Sequence, residues 1–99
     1  MTTPHYKQAG RPLFPLGRTL ITRGALATLE RVNRSPAEFI TRHQCGDYGD
    51  LVPDDIQANR DALRQGDRIL SAYDVGVCRV WVITEADRSA TTILLPEEY

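Results

Sequence analysis

The stretch Arg68–Tyr99, RILSAYDVGVCRVWVITEADRSATTILLPEEY, decides the fold. Three apolar runs are separated by two short turns. If Gly76 and Val77 form a two-residue hairpin loop, Val75 faces Cys78 and Asp74 faces Arg79. The same register sets Tyr73 against Val80, Leu70 against Ile83 and Arg68 against Glu85. Opposite charges then meet at both ends of one ladder, each pair contributing about 0.2–1 kcal/mol. A slip of one residue loses both pairs and turns every side chain to the other face. Gly76 suits the first position of a type II′ turn, which needs positive φ. A second turn, from Ala86 to Ser89, sets Thr84 against Thr91 and Val82 against Ile93. Pro96 has no N–H to give to a ladder and ends the last strand.

The predicted unit is a three-stranded antiparallel meander with two apolar faces. One face carries Ile69, Ser71, Tyr73, Val75, Val80, Val82, Ile93 and Leu95. The other carries Leu70, Ala72, Trp81, Ile83, Thr92 and Leu94. A half-exposed antiparallel sheet normally alternates apolar and polar residues. Either helices cover both faces or the Trp81 face meets a partner, since large apolar patches mark contact sites.

Upstream, three helices are expected. Thr22 can cap a helix from Arg23 to Val32, with Ala25, Leu26, Leu29 and Val32 as its apolar stripe and Asn33 as its stop. Ser35, Pro36 and Glu38 form a capping-box start for the next helix, which carries Phe39, Ile40 and His43 and ends at Gly46. The third runs from Pro53 to Gln65, with Asp54 and Asp55 near its positive end and Gly66 closing it. A short strand over Arg18–Thr22 is compatible with the residues there and could join a sheet edge. Residues 1–12 read as a flexible arm and residues 13–99 as a single α+β domain, N-terminal helices packed on a C-terminal meander.

Ninety-nine residues suit one domain. No run of about 18 apolar residues is present, so no membrane span is expected, and the polar start does not resemble a secretory signal. A cytoplasmic location is the expectation, with Cys45 and Cys78 as free thiols. The net charge of −1 hides an asymmetry, +5 over residues 1–44 and −6 over residues 45–99.

Polar candidates cluster in three places. The first is His43-Gln-Cys-Gly-Asp47-Tyr48-Gly49-Asp50, where His43 could act as a general base oriented by Asp47 or Asp50, or where Asp47 could simply cap a glycine-permitted turn. The second is Asn59, which shares a helix face with Ile56 and Leu63 and therefore needs a hydrogen-bond partner. The third is the turn holding Glu85, Asp87 and Arg88, able to serve acid–base chemistry or to close a hairpin. No phosphate loop, GxSxG or HExxH motif is present, and the His43 spacing matches no metal motif. No metal site and no cofactor are therefore expected, nor is direct nucleic-acid binding.

The segments RHQCGDYGDL, RILSAY and WVITEADRSATTILLPEEY resemble a group of small uncharacterised bacterial proteins carried on plasmids, integrative elements and prophages. The resemblance covers Leu13 to Tyr99, and its pattern includes His43, Gly46, Asp47, Gly49, Asp55, Asn59, Ser71, Tyr73, Trp81, Thr84, Glu85, Asp87, Arg88, Thr91 and Thr92. Tyr48 stands where those proteins usually carry Trp. The resemblance implies a mobile-element context rather than an activity.

Together these readings lead to a non-catalytic protein that binds a host or element-encoded protein. A counter-defence inhibitor of CRISPR or restriction machinery is one concrete form. Its acidic segment Asp47–Asp67 would occupy a groove made for nucleic acid. The expected binding residues are Asp47, Tyr48, Asp50, Asp54, Asp55, Asn59, Trp81, Glu85, Asp87 and Arg88. One alternative is a small enzyme or nucleotide-binding module with His43, Asp47, Asn59, Glu85, Asp87 and Arg88 around one cleft. Another is a homodimer joined through Trp81, Ile83 and Leu94.

Overall fold

The computed structural model describes residues 11–99, so most of the arm expected over residues 1–12 lies outside the described residues. Four strands, β1 (Arg18–Ile21), β2 (Ile69–Asp74), β3 (Arg79–Thr84) and β4 (Ala90–Leu94), and three helices, α1 (Arg23–Arg31), α2 (Pro36–Gln44) and α3 (Pro53–Gln65), make an α+β fold. A short 3-10 turn, Pro96–Glu98, follows β4.

The hairpin register is the one expected. Asp74 pairs with Arg79, Tyr73 with Val80 and Leu70 with Ile83 in β2–β3, and Val82 pairs with Ile93 and Thr84 with Thr91 in β3–β4. Gly76 takes φ 98° at the first turn. The charges act differently from expectation. Neither Asp74–Arg79 nor Arg68–Glu85 is an ion pair among the described residues. Asp74 instead accepts from the Gly76 N–H at 2.8 Å, and the Arg68 guanidinium lies 5.4 Å from the Tyr99 ring centroid. Apolar alternation, with the inner-face residues of β2, β3 and β4 buried, is thus what fixes the register.

The sheet is larger than a three-stranded meander. The Arg18–Ile21 segment does form a strand, and it joins β4 in parallel, giving a mixed sheet of order β1-β4-β3-β2. Gly17 permits this entry. Its φ is +67°, and a Cβ there would collide with the backbone carbonyls of Arg88 and Ser89.

The helix starts follow local chemistry. Thr22 Oγ1 accepts from the Ala25 N–H at 3.2 Å. The same hydroxyl donates to Glu98 at 2.5 Å, and Glu98 also accepts from the Gly24 N–H at 3.2 Å. A carboxylate from the end of the chain thereby sits at the positive end of α1. Ser35 caps α2 by accepting from the Ala37 N–H. Glu38 does not close the expected capping box; it turns to Arg34, with Nε–Oε1 at 3.0 Å. The α3 bounds are as expected, and Gly66 ends it at φ 80°.

The inner sheet face packs on α1 and α2 through Ala25, Leu29, Phe39, Tyr73, Val80, Val82 and Ile93. A second apolar cluster joins Phe14, Tyr48, Ala62 and Ile69 at the β2 end.

Asn59 closes the β2 edge. Leu70 points its backbone away from β3, and Asn59 answers both groups: Nδ2 donates to the Leu70 carbonyl at 2.7 Å and Oδ1 accepts from the Leu70 N–H at 3.1 Å. The next outward residue, Ala72, bonds Tyr48 and Asp50 backbone at 3.1 and 2.7 Å. One side chain and one loop thus occupy an edge that would otherwise invite another strand. Asn59→Ala should therefore cost about 2–3 kcal/mol in urea unfolding, because it leaves a strand N–H and C=O unpaired beneath α3. A loss below about 0.5 kcal/mol would contradict this role.

Candidate functional site

The His43 side chain is buried in the core. His43 occupies the last turn of α2, on the same face as Phe39, and is 0% exposed. Its Nδ1 lies 2.6 Å from Ser71 Oγ and its Nε2 lies 2.9 Å from Thr84 Oγ1. Thr84 Oγ1 lies 2.7 Å from Thr91 Oγ1, and Thr91 donates to the Leu16 carbonyl at 2.8 Å.

The proton positions follow from the far end. A carbonyl can only accept, so Thr91 gives its proton to Leu16. Thr91 must then accept from Thr84, and Thr84 must accept from the ring. Nε2 therefore carries the hydrogen, and Nδ1 accepts from Ser71. With a neutral ring each hydroxyl of the chain donates once and every bond is made. Phe14 stands edge-on to the imidazole at 5.3 Å. Burial pushes the His43 pKa down from 6.5 to about 4.

The remaining candidates hold turns together. Asp47 accepts from the Gly49 N–H at 3.2 Å and from Arg42 Nε at 2.7 Å, while its carbonyl accepts from the Tyr73 hydroxyl at 2.6 Å. Burial holds that Tyr73 hydroxyl well above the usual phenol range. Arg88 donates to the carbonyls of Ala62, Asp67, Glu85 and Ala86 at 2.7–3.1 Å, tying the β3–β4 turn to the end of α3. Asp87 accepts from the Ser89 N–H at 3.0 Å, and hydrogen bonding to Ser89 lowers its pKa. Glu85 is exposed at the turn. Tyr48 is buried, with a hydroxyl that has no partner among the described residues.

The side chains are directed to different partners: His43 to Ser71 and Thr84, Asp47 to Arg42 and Gly49, Asn59 to Leu70, and Arg88 to four carbonyls. Among the described residues no three His, Cys, Asp or Glu side chains group as metal ligands. No helix among them is long and apolar enough to cross a membrane. Cys45 and Cys78 are free thiols.

A cavity lies on the outer sheet face. A groove of about 360 Å3 runs between α3 and the strands, with Leu70, Trp81 and Ile83 as floor, Leu51 and Asp55 on one wall and Arg68 and Tyr99 on the other. Trp81 meets the Tyr99 ring edge-on at 5.8 Å. Asn59 also lines the groove, but its amide is already engaged by Leu70. Asp50, Asp54 and Asp55 are exposed and form no ion pair among the described residues, whereas Asp61 is bound to Arg64 at 2.6 Å. Sequence reasoning named Trp81, Asp55 and Asn59 here but missed Arg68 and Tyr99. Period-two alternation placing Leu70, Trp81 and Ile83 on one face was the available signal.

No family model matches the chain, and comparisons with curated proteins and with solved structures find no match. The likeness to mobile-element proteins thus rests on the motifs quoted above.

The neutral imidazole has a pH consequence. The folded-state pKa lies below the unfolded one, so the unfolded chain takes up the proton first as pH falls. The stabilisation is complete above about pH 6.5 and is lost progressively from there toward pH 4. Unfolding free energy should drop by about 2 kcal/mol between pH 7 and pH 5. His43→Gln should lower stability at pH 7 and remove most of that slope. A wild-type protein whose stability is flat over this interval would contradict the assignment.

Proposed function

We propose that this chain is a non-catalytic binding protein of a mobile genetic element, and that the Trp81 groove is its docking site. The occupant is a segment of a protein partner with an apolar side chain between basic ones. The observation that carries the reading is the groove itself: an aromatic and aliphatic lining bordered by Asp55 and Arg68, with the exposed Asp50 and Asp54 next in sequence to its lining residues Leu51 and Asp55. An apolar anchor in a pocket with a charged rim is how interfaces concentrate their binding energy. The groups that would serve catalysis, His43, Asp47, Asn59, Asp87 and Arg88, are engaged in holding the fold.

One concrete form, resting on the small size, the acidic Asp47–Asp67 segment and the mobile-element context, is a counter-defence inhibitor. The aspartates of the Asp47–Asp67 segment would cover a basic surface that otherwise takes nucleic acid, while Trp81 supplies the apolar contact.

The test is affinity capture with matched variants. A partner held by the wild type should be weakened at least about tenfold by Trp81→Ala and by the double change Asp54→Lys/Asp55→Lys. The charge-reversed protein should also lose the salt dependence of its association rate. Far-UV circular dichroism should be unchanged in both, since the altered side chains are not fully buried. A partner retained equally by both variants would remove the groove from the interface.

A further inference from the structure

We propose that β1 is a self-association edge, through which two copies join their sheets antiparallel into one continuous sheet. The two edges of the sheet are treated differently. β2 is closed by Asn59 and by the Tyr48–Asp50 segment. β1 carries no such cover among the described residues. The Arg18 and Thr22 N–H groups bond the Ser89 and Ile93 carbonyls of the β4 side at 3.0 Å. In a parallel ladder the intervening residues alternate, so the backbones of Thr19 and Ile21 point outward. No other element bonds them among the described residues.

The edge is complementary to itself. In an antiparallel pairing about a two-fold axis through Leu20, the Thr19 N–H meets the partner's Ile21 carbonyl, and the Ile21 N–H meets the partner's Thr19 carbonyl. The reciprocal bonds follow from symmetry. Leu20, 42% exposed and directed to the outer face, then lies against the partner's Leu20 in the close, non-hydrogen-bonded position.

The same register sets Arg18 opposite the partner's Thr22. Thr22 holds the Glu98 carboxylate at 2.5 Å, so an exposed guanidinium on each copy faces a carboxylate fixed at the edge of the other. Shifting the register by two residues would separate these charges. Beside the edge, a trough of about 280 Å3 between β1, Ile93 and the first turn of α2 (Pro36, Ala37, Ile40) leaves room for side chains of an added strand on the inner side.

This contact is independent of the Trp81 groove, and sedimentation separates the two. The full-length wild type should show reversible dimerisation over a micromolar dilution series. Leu20→Lys, which sets two ammonium groups against each other on the axis, should sediment as monomer with unchanged far-UV circular dichroism. Arg18→Glu should weaken the dimer in a salt-dependent way. In a Cys45→Ser/Cys78→Ser background, Leu20→Cys should form an intermolecular disulfide on mild oxidation, because opposed residues at this position lie about 4.5 Å apart at Cα. A wild type that stays monomeric at the highest concentration would overturn the proposal. So would a dimer that survives Leu20→Lys, or one dissolved by Trp81→Asp alone.

Discussion

The chain of hydrogen bonds from Ser71 through His43, Thr84 and Thr91 to the Leu16 carbonyl is the constraint on which the rest of the structure depends. It crosses the molecule from β2 through α2 to β3, β4 and the segment that leads into β1. Three hydroxyls and an imidazole in the core would each be costly if unpaired. Paired in this order, they fix α2 over the sheet at one angle and one depth. A shift of either β-pairing by one residue would take Ser71, Thr84 or Thr91 out of reach. The network thus reinforces the register that apolar alternation sets, and it holds the N-terminal segment where β1 can meet β4.

A consequence is that the most reactive-looking side chains are immobilised. His43 has no exposed nitrogen. Asn59 acts as a substitute strand for the β2 edge, and Arg88 acts as a clamp on four carbonyls. Residues of this kind are conspicuous in a sequence for the same reason that catalytic residues are: polar atoms in apolar surroundings. A groove lined by Trp81 and Tyr99 remains open, with Asp55 and Arg68 at its border.

Much of the fold could be read from the chain because local rules agreed with one another. Gly76, Gly66, Ser35 with Pro36, and the alternation through Tyr73, Val80 and Val82 all pointed to the elements that form. The cross-strand charges gave the right register for a wrong reason, since Arg68 stacks on Tyr99 and Asp74 folds back on its own turn. The parallel docking of β1 on β4 was not determined by local sequence. It depends on Gly17 approaching the Arg88 and Ser89 carbonyls, a contact across more than seventy residues. The role of Glu98 at the start of α1 is equally non-local. For the site, Trp81 and Asp55 stood out by type, whereas Arg68 and Tyr99 become neighbours only once the tail folds back across β3. The buried partners of His43 carried a signal that was available: Ser71, Thr84 and Thr91 fall on the face of Tyr73, Val82 and Ile93, where a hydroxyl needs a partner.

The most direct test is the protonation state of His43 by long-range nitrogen–proton correlation spectroscopy from pH 7 to pH 5. The hydrogen-bond chain places the hydrogen on Nε2, and burial keeps Nδ1 bare, so the ring should stay about nine-tenths neutral or more down to pH 5. A ring carrying its hydrogen on Nδ1, or one that becomes imidazolium near pH 6, would contradict the arrangement from which the fold and the reading of its free surfaces follow.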